Sequence, residues 1–239
     1  MLSIIIPTLN EEKYLPFLLR AIQIQNFNDY ELIVADAGSQ DKTIEIAKSY
    51  DCKIVSGGLP AKGRNEGAKI AQGDLLLFID ADVVLPKQSL TDFIEEFQKR
   101  NLDVAGFLLQ PLKENKFVKI LCNLFYNQPI LMMEKFLPHA AMAILIKKNL
   151  HQKINGFDEE VKLAEDHDYV RRATKFGKFG ILKSTKIFFS PRRFENDGWA
   201  RTYLKYLFCE FYMVFRGPAK SDIFKYKFNH YKNKTEQHK

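Results

Sequence analysis

The chain has 239 residues and a net charge of +7, with 46% hydrophobic and 27% charged residues, the composition of a folded domain with a substantial core. Its three cysteines (Cys52, Cys122 and Cys209) are odd in number and far apart, which excludes a disulfide framework or a cysteine metal site and indicates a reducing compartment. No apolar run approaches the ~18 residues of a membrane-spanning helix, and no basic signal-peptide segment follows Met1. We therefore expect a cytoplasmic protein.

The positive charge is unevenly distributed along the chain. Residues 1–182 contain 23 Lys and Arg against 24 Asp and Glu, whereas residues 183–239 contain 13 against 5. All of the excess therefore lies in the last quarter, which favours an anionic partner such as lipid headgroups or phosphates. We expect no nucleic-acid partner, because the first three quarters offer no basic platform.

The first half alternates short apolar runs with helical patterns. Asn10 is expected to cap the first helix, with Glu11 and Glu12 in its first turn. Four strands and three helices in about 80 residues are typical of a parallel, doubly wound sheet. The predicted strands are residues 2–6, 31–35, 53–55 and 75–79, and the predicted helices are 14–22, 44–47 and 61–71.

Polar residues stand at the carboxyl ends of three predicted strands: Thr8, Asp36 and Asp80. Because the carboxyl ends of parallel strands meet along one edge, we expect these residues to border the crevice where such folds bind ligands. Neither a Gly-x-Gly-x-x-Gly nor a Walker-type loop follows the first strand, which argues against a dinucleotide-dependent dehydrogenase or a P-loop protein.

Asp80 and Asp82 directly follow a strand that is apolar throughout, with the small Ala81 between them. Side chains alternate along an extended chain, so both carboxylates are expected to point the same way. Converging carboxylates repel each other unless a cation lies between them, and a Mg²⁺ or Mn²⁺ ion that also bridges phosphate oxygens is the usual one. An ordinary strand exit rich in aspartate is the alternative.

The second half is less regular. The patterns predict a helix at 89–100, strands at 103–109, 140–146 and 187–189, and a helix at 166–176 closed by Gly177. Residues 115–137 are apolar and aromatic, with a helical face that Pro129 interrupts.

The tail from Trp199 interleaves aromatic residues with Arg201, Lys205 and Arg216, and its spacing predicts a helix. Two interpretations are open: a helix lying in a membrane interface, or a helix packed on the core whose basic side chains reach solvent. Residues 219–239 are polar and lysine-rich, and we expect them to fray.

Six segments stand in this order along the chain: residues 3–12 (SIIIPTLNEE), 36–43 (DAGSQDKT), 62–65 (KGRN), 80–82 (DAD), 156–159 (GFDE) and 165–166 (ED). In this order they resemble the signature motifs of the family 2 glycosyltransferases. These enzymes are inverting and nucleotide-sugar-dependent. The resemblance implies an α/β fold of GT-A type, with a Rossmann-like, mostly parallel sheet flanked by helices and an appended aromatic and basic C-terminal helical segment. Ala37 stands where the family often has a second acidic residue, and the Gln-x-x-Arg-Trp element of processive synthases is absent.

The resemblance implies a role for each matching residue. Asp82 would hold the divalent metal, Mg²⁺ or Mn²⁺, on the donor diphosphate, and Asp166 would be the catalytic base. Glu165 would orient Asp166 or bind acceptor hydroxyls. Since Asp166 begins a predicted helix, we expect backbone hydrogen bonds to keep it ionised; by pattern alone it could equally be an N-cap. The donor-binding residues would be Pro7, Thr8, Asn10, Glu11, Asp36, Lys62, Arg64, Asp80 and Ala81.

Further basic residues are candidates for binding the acceptor or a phosphate: His139, Arg192 and Arg193. His139 and His167 are alternatively a third metal ligand or structural residues, and the two arginines are alternatively surface charges.

These features predict a glycosyltransferase that moves a sugar from a nucleotide-diphosphate donor to an acceptor hydroxyl. The acceptor would be a sugar or lipid-linked, and residues 199–239 would contact the inner face of the cell membrane. The expected domain spans residues 1–190, with a nucleotide-sugar-binding half (1–110) and an acceptor and catalytic half (111–190), followed by the helical segment 191–239. The alternative is a non-catalytic or nucleotidyltransferase-like nucleotide-binding α/β protein.

Overall fold

The computed structural model describes residues 1–112 and 116–220, without the side chains of Phe117, Arg193, Asn196, Trp199 and Ala200. Most of the segment expected to fray and the role assigned to Arg193 therefore lie outside the described residues.

The strands are β1 (Leu2–Thr8), β2 (Tyr30–Asp36), β3 (Lys53–Ser56), β4 (Leu75–Ile79), β5 (Val83–Val84), β6 (Val104–Pro111), β7 (Ala143–Lys147) and β8 (Phe179–Phe189). The helices are α1 (Leu15–Gln23), α2 (Thr43–Ser49), α3 (Pro60–Ile70), α4 (Ser89–Lys99), α5 (Lys116–Cys122), a π-helical turn (Asn123–Asn127), α6 (Gln128–Met132), α7 (Lys148–Lys153), α8 (Glu165–Ala173), α9 (Arg192–Asp197) and α10 (Trp199–Arg216).

The strands form one eight-stranded sheet in the order β3-β2-β1-β4-β7-β6-β8-β5. The four strands of the first half run parallel, with β1 between β2 and β4. In the second half β7 is antiparallel to both β4 and β6, whereas β8 runs parallel to β6. The predicted α/β fold is confirmed. Strand β7, which is antiparallel to both of its neighbours, lies between the four parallel strands of the first half and strand β6.

The central strand β1 is buried on both faces because helices cover both. Ile4 and Ile6 pack in one core cluster with residues of α1 and α4, and Ile5 packs in a second cluster with residues of α3 and α8. A continuous apolar run is the expected sequence of such a strand. The charged residues that follow it are therefore carried on a rigid support.

The predicted N-cap at Asn10 is wrong. Asn10 has φ 55°, and α1 begins only at Leu15, because the chain first makes a turn in which the Tyr14 N–H donates to the Glu11 carbonyl. The Asn10 side chain instead accepts from the Gln40 N–H at 2.8 Å, so it ties the β1–α1 loop to the β2–α2 loop.

The apolar segment that includes Pro129 is helical from residue 116 to 132, apart from its π-helical turn. Pro129 is the second residue of α6 and directly follows the π-helical turn, so it does not end the helical segment. β8 is longer than the predicted strand at 187–189, because it begins at Phe179 and stays paired with β6 across a register shift.

Candidate active site

The loop after β2 is built around the carboxylate of Asp36. This side chain accepts hydrogen bonds from the Thr8 hydroxyl (2.9 Å), the Gly38 N–H (2.9 Å) and both the N–H and hydroxyl of Ser39 (2.8 and 2.5 Å). Gly38 has φ 92°, a conformation that favours glycine. Asp36 thus joins the ends of β1 and β2 through contacts within the chain, and its predicted contact with a donor stays a prediction.

Arg64 on α3 connects the end of strand β4 to helix α8. The guanidinium donates to Asp80 at 2.8 Å and to Glu165 at 2.7 Å, and its side chain is only 5% exposed. Burial would lower the pKa of Arg64, but the charges of Asp80, Glu165 and Asp166 raise it above its usual high value. Burial raises the pKa of Asp80, which the charge of Arg64 opposes. Arg64 therefore holds the end of β4 against the start of α8.

Asp82 lies in a second cluster, which is closed by Arg192 from α9. The Arg192 guanidinium donates to both carboxylate oxygens of Glu11 (2.6 and 3.0 Å), and its Nε lies 3.1 Å from the Asp82 carboxylate. The same guanidinium lies 4.5 Å from the centre of the Tyr14 ring. Glu11 and Asp82 thus already share one cation.

Asp166 is the second residue of α8, after Ala164, which has φ 59° and ends the preceding loop. Its carboxylate accepts from the His167 N–H at 3.0 Å, so Asp166 does not cap the helix. Burial raises the pKa of Asp166 to about 6, opposite in direction to the sequence-based expectation, although the group stays mainly ionised at pH 7. A carboxylate with this pKa is a stronger base than an exposed aspartate.

Glu210 on α10 contacts the residue that follows Asp166. His167 Nδ1 lies 2.9 Å from one Glu210 carboxylate oxygen, and Arg171 pairs with the other. Burial alone would raise the pKa of Glu210, but the hydrogen bond and charge of His167 lower it to about 2. The C-terminal helix is therefore joined to the helix of the candidate base.

The acidic groups described above other than Asp36, together with Arg64, Arg192 and His167, line one cleft of about 1690 Å³. Lys62 is exposed and also lies outside the lining residues, so its role stays a prediction. The predicted site residues that line the cleft are Pro7, Thr8, Asn10, Glu11, Arg64, Asp80, Ala81, Asp82, His139, Glu165, Asp166 and Arg192.

Sequence reasoning missed Glu210 and Tyr14, both of which line the cleft. Glu210 is the one acidic residue between Trp199 and Arg216, and an isolated carboxylate in an aromatic helix was the available signal. Tyr14 was read only as part of the apolar face of the first helix.

Comparison with known proteins identifies the family. Residues 3–149 match the model of Glycosyl transferase family 2, more than half of the chain. The chain belongs to this family.

The chain is also similar to individual proteins of known name. It is 27% identical over 215 residues to poly(ribitol-phosphate) beta-N-acetylglucosaminyltransferase TarS of Staphylococcus aureus (strain Mu50), covering 84% of this chain and 37% of TarS. It is 28% identical over 214 residues to minor teichoic acid biosynthesis protein GgaB of Bacillus subtilis (strain 168), covering 82% of this chain and 23% of GgaB. The chain thus spans well under half the length of these relatives.

Solved structures show the same architecture. Mannosyltransferase PcManGT from Pyrobaculum calidifontis, in complex with GDP-Man and Mn²⁺, matches with a TM-score of 0.71 and 17% identity over 89% of this chain and 63% of that chain. S. aureus TarS 1-349 in complex with UDP-GlcNAc matches with a TM-score of 0.64 and 24% identity over 79% of this chain and 58% of that chain. These likenesses establish the GT-A type of α/β fold.

Proposed function

We propose that this protein is an inverting glycosyltransferase that moves a sugar from a nucleotide-diphosphate donor to an acceptor hydroxyl. The observation that carries the proposal is the buried bridge from Asp80 through Arg64 to Glu165, since it brings Asp82 and Asp166 to one cleft. A cleft of about 1690 Å³ exceeds the roughly 300–1,000 Å³ of a site for one small ligand, which supports simultaneous binding of donor and acceptor.

The two carboxylates on the expected donor side of the cleft, Glu11 and Asp82, are suited to holding a divalent ion. Asp82 and Glu11 converge on a single positive group, the Arg192 guanidinium, so the pair is already arranged to neutralise a cation. Asp82 would hold the ion, which when bound offsets the charge that develops on the leaving diphosphate. Arg192, once released from Asp82, would be available to phosphate oxygens.

Asp166 would act on the acceptor side. In an inverting transfer one base takes the proton of the acceptor hydroxyl as its oxygen attacks the sugar from the face opposite the leaving group. Asp166 is ionised at pH 7 and is enclosed by protein, which suits this role. Glu165 is fixed by Arg64 and would position the start of α8 rather than exchange protons.

A lipid-linked acceptor at a membrane surface is supported by the surface beside Asp166. Exposed apolar side chains cover the region from α5 to the loop after α6 and the outer face of α10, and the two parts meet where the Phe125 and Tyr203 rings lie 5.3 Å apart. Phe125, Met133 and Leu207 also line the cleft, so the apolar surface continues into it. Exposed members of this apolar surface are Ile120, Leu124, Phe125, Met132, Met133, Phe136, Leu204, Leu207, Phe208, Phe211, Val214 and Phe215.

Substitution of Asp166 by Asn tests the base. The donor is first identified as the nucleotide sugar that gives the largest thermal shift with Mn²⁺. We expect transfer of labelled sugar from it to a bacterial lipid extract to fall about 10²–10⁴-fold in Asp166→Asn, because the proton acceptor is lost, while donor affinity is retained.

Asp168→Asn is the matched control, since Asp168 pairs with Arg172 at 2.7 Å and does not line the cleft. Full transfer by Asp166→Asn would refute the base assignment. A wild-type protein that nucleotides stabilise but that transfers no sugar would instead support the non-catalytic alternative, and one that no nucleotide or nucleotide sugar stabilises would contradict the proposed function.

A further inference from the structure

Three metal-binding side chains meet at the wall of the cleft beside Asp166. They are His139 in the loop before β7, His167 on α8 and Glu210 on α10. Each side chain offers one ligand atom, and these three atoms lie within 4.8 Å of one another. The centroids of the two imidazole rings are 3.7 Å apart. Within the part of the chain that the structure describes, no other three His, Cys, Asp or Glu side chains are grouped in this way.

Two imidazoles and one carboxylate form a ligand set typical of transition metals in proteins. Such sites keep at least one coordination position for water or substrate when the protein supplies only three ligands. Bonds of about 2.0–2.2 Å place ligand atoms on a sphere about 4 Å across, so small side-chain rotations would close the observed group around an ion. All three side chains line the cleft, so the remaining positions would open into it.

Glu210 has an outer partner that orients it, and a carboxylate lies near the other ring nitrogen of His167. His167 Nδ1 lies 2.9 Å from the Glu210 carboxylate, while the other ring nitrogen, Nε2, lies 3.7 Å from Asp166. The second oxygen of Glu210 pairs with Arg171. Metal-binding histidines usually direct their free N–H to a carboxylate, and metal-binding carboxylates are usually hydrogen-bonded themselves. An ion would take the place of the present contact between His167 Nδ1 and the Glu210 carboxylate.

His139 is the ligand of the three whose ring nitrogens are not engaged by other described side chains. Among the described residues, no group forms a hydrogen bond with its ring nitrogens, and its ring neighbours are Tyr126 and His167. His139 is partly exposed and lines the cleft, so its ring nitrogens are accessible to a ligand that enters from there. A metal–nitrogen bond would satisfy this ring.

We propose that His139, His167 and Glu210 bind one divalent transition-metal ion, separate from the ion expected at Asp82. The bound ion joins α10 to α8 and presents open coordination positions to the cleft beside Asp166. Oxygen ligands, such as a hydroxyl or a phosphate of a second substrate, are the chemistry that these positions accept.

Cobalt(II) is the probe, because its visible absorption reports nitrogen and oxygen ligation directly. The full-length protein, treated with a chelator and desalted, is titrated with CoCl₂ in the absence of any nucleotide. We expect one equivalent to give ligand-field bands of a four- or five-coordinate ion. His139→Gln and Glu210→Gln each remove one ligand, so affinity is expected to fall at least ~10-fold.

Asp82→Asn is the matched control and should leave these bands unchanged, although it should weaken nucleotide-dependent metal binding. If Glu210→Gln fails to fold, as judged by its circular dichroism, His139→Gln decides, since the His139 ring has no hydrogen bond among the described residues. Absence of stoichiometric bands in the wild type, bands that persist in His139→Gln, or bands lost in Asp82→Asn would each overturn the proposal. The measurement uses neither donor nor acceptor, so its outcome is independent of the transfer reaction.

Discussion

Arg192 is a basic side chain held in an acidic site, 181 residues from its partner Glu11. Burial would lower the pKa of Arg192, but the hydrogen bond to Glu11 and the charge of Asp82 raise it above its usual value. The guanidinium therefore remains charged and competes with any ion that approaches Asp82. Metal binding on the donor side is coupled to the position of α9.

Removal of this competitor should strengthen metal binding. In Arg192→Ala we expect Mn²⁺ to bind about 10-fold more tightly without nucleotide, which corresponds to about 1.4 kcal/mol for the lost ion pairs. Calorimetry in a His139→Gln background would restrict the measurement to the Asp82 site. Lys13→Ala is the control, because Lys13 is an exposed basic residue of the same cleft. Equal Mn²⁺ affinity in Arg192→Ala and the parent would show that Arg192 does not compete with the metal ion for Asp82.

At the scale of elements, α3 positions Arg64 by lying unusually close to the sheet. Gly63 and Gly67 face β1 and β2 on either side of Arg64, and a Cβ at Gly67 would lie 2.4 Å from the Ile5 Cγ2 atom. Any side chain at Gly67 would push α3 away from β1. The reach of Arg64 to Asp80 and Glu165 depends on this close packing.

Gly67→Ala should therefore destabilise the protein even though alanine favours helices by about 1 kcal/mol. We expect a loss of about 1–3 kcal/mol in the free energy of unfolding, the usual cost of overpacking, measured by urea denaturation. Lys69→Ala on the same helix removes an exposed side chain and should change stability by less than about 1 kcal/mol. A Gly67→Ala variant as stable as the parent would show that α3 can shift without cost.

At the scale of the whole molecule, α10 has two different faces. Cys209 and Met213 pack against Leu163 and Ala164, directly before α8, whereas Phe208 and Phe215 are exposed. No helix in residues 1–112 and 116–220 is long and apolar enough to cross a membrane. An exposed aromatic face flanked by basic residues favours binding in a membrane interface.

Phe208→Asp should reduce co-sedimentation of the protein with vesicles that contain anionic lipid, because a charge replaces an aromatic anchor that is 65% exposed. Phe17→Asp is the matched control, since Phe17 is 63% exposed but lies on α1, outside the apolar surface. Both variants should keep the parent's melting temperature, as exposed substitutions usually do. Equal vesicle binding by Phe208→Asp and Phe17→Asp would exclude the apolar surface as the lipid contact.

The sequence predicted the first half of the sheet because its signals are local. Each of the first four strands is a short apolar run followed by a polar turn, and parallel strands place those turns along one edge. Thr8 and Asp80 could therefore be assigned to this edge from the pattern alone, whereas the expected roles of Asp82 and Asp166 came from the resemblance to the family. The GT-A fold and the glycosyltransferase family followed from the same motifs.

Only the tertiary structure decided which distant side chains complete the cleft. The pairing of Arg192 with Glu11 and the contact of Glu210 with His167 join residues 181 and 43 positions apart. In α10 apolar residues occur on nearly every face, so periodicity does not show that Cys209, Met213 and Glu210 turn inward. Which side chains of α10 turn inward depends on the apolar surface that the rest of the fold presents next to α8. That surface forms only when the chain is packed, so it cannot be inferred from any single segment.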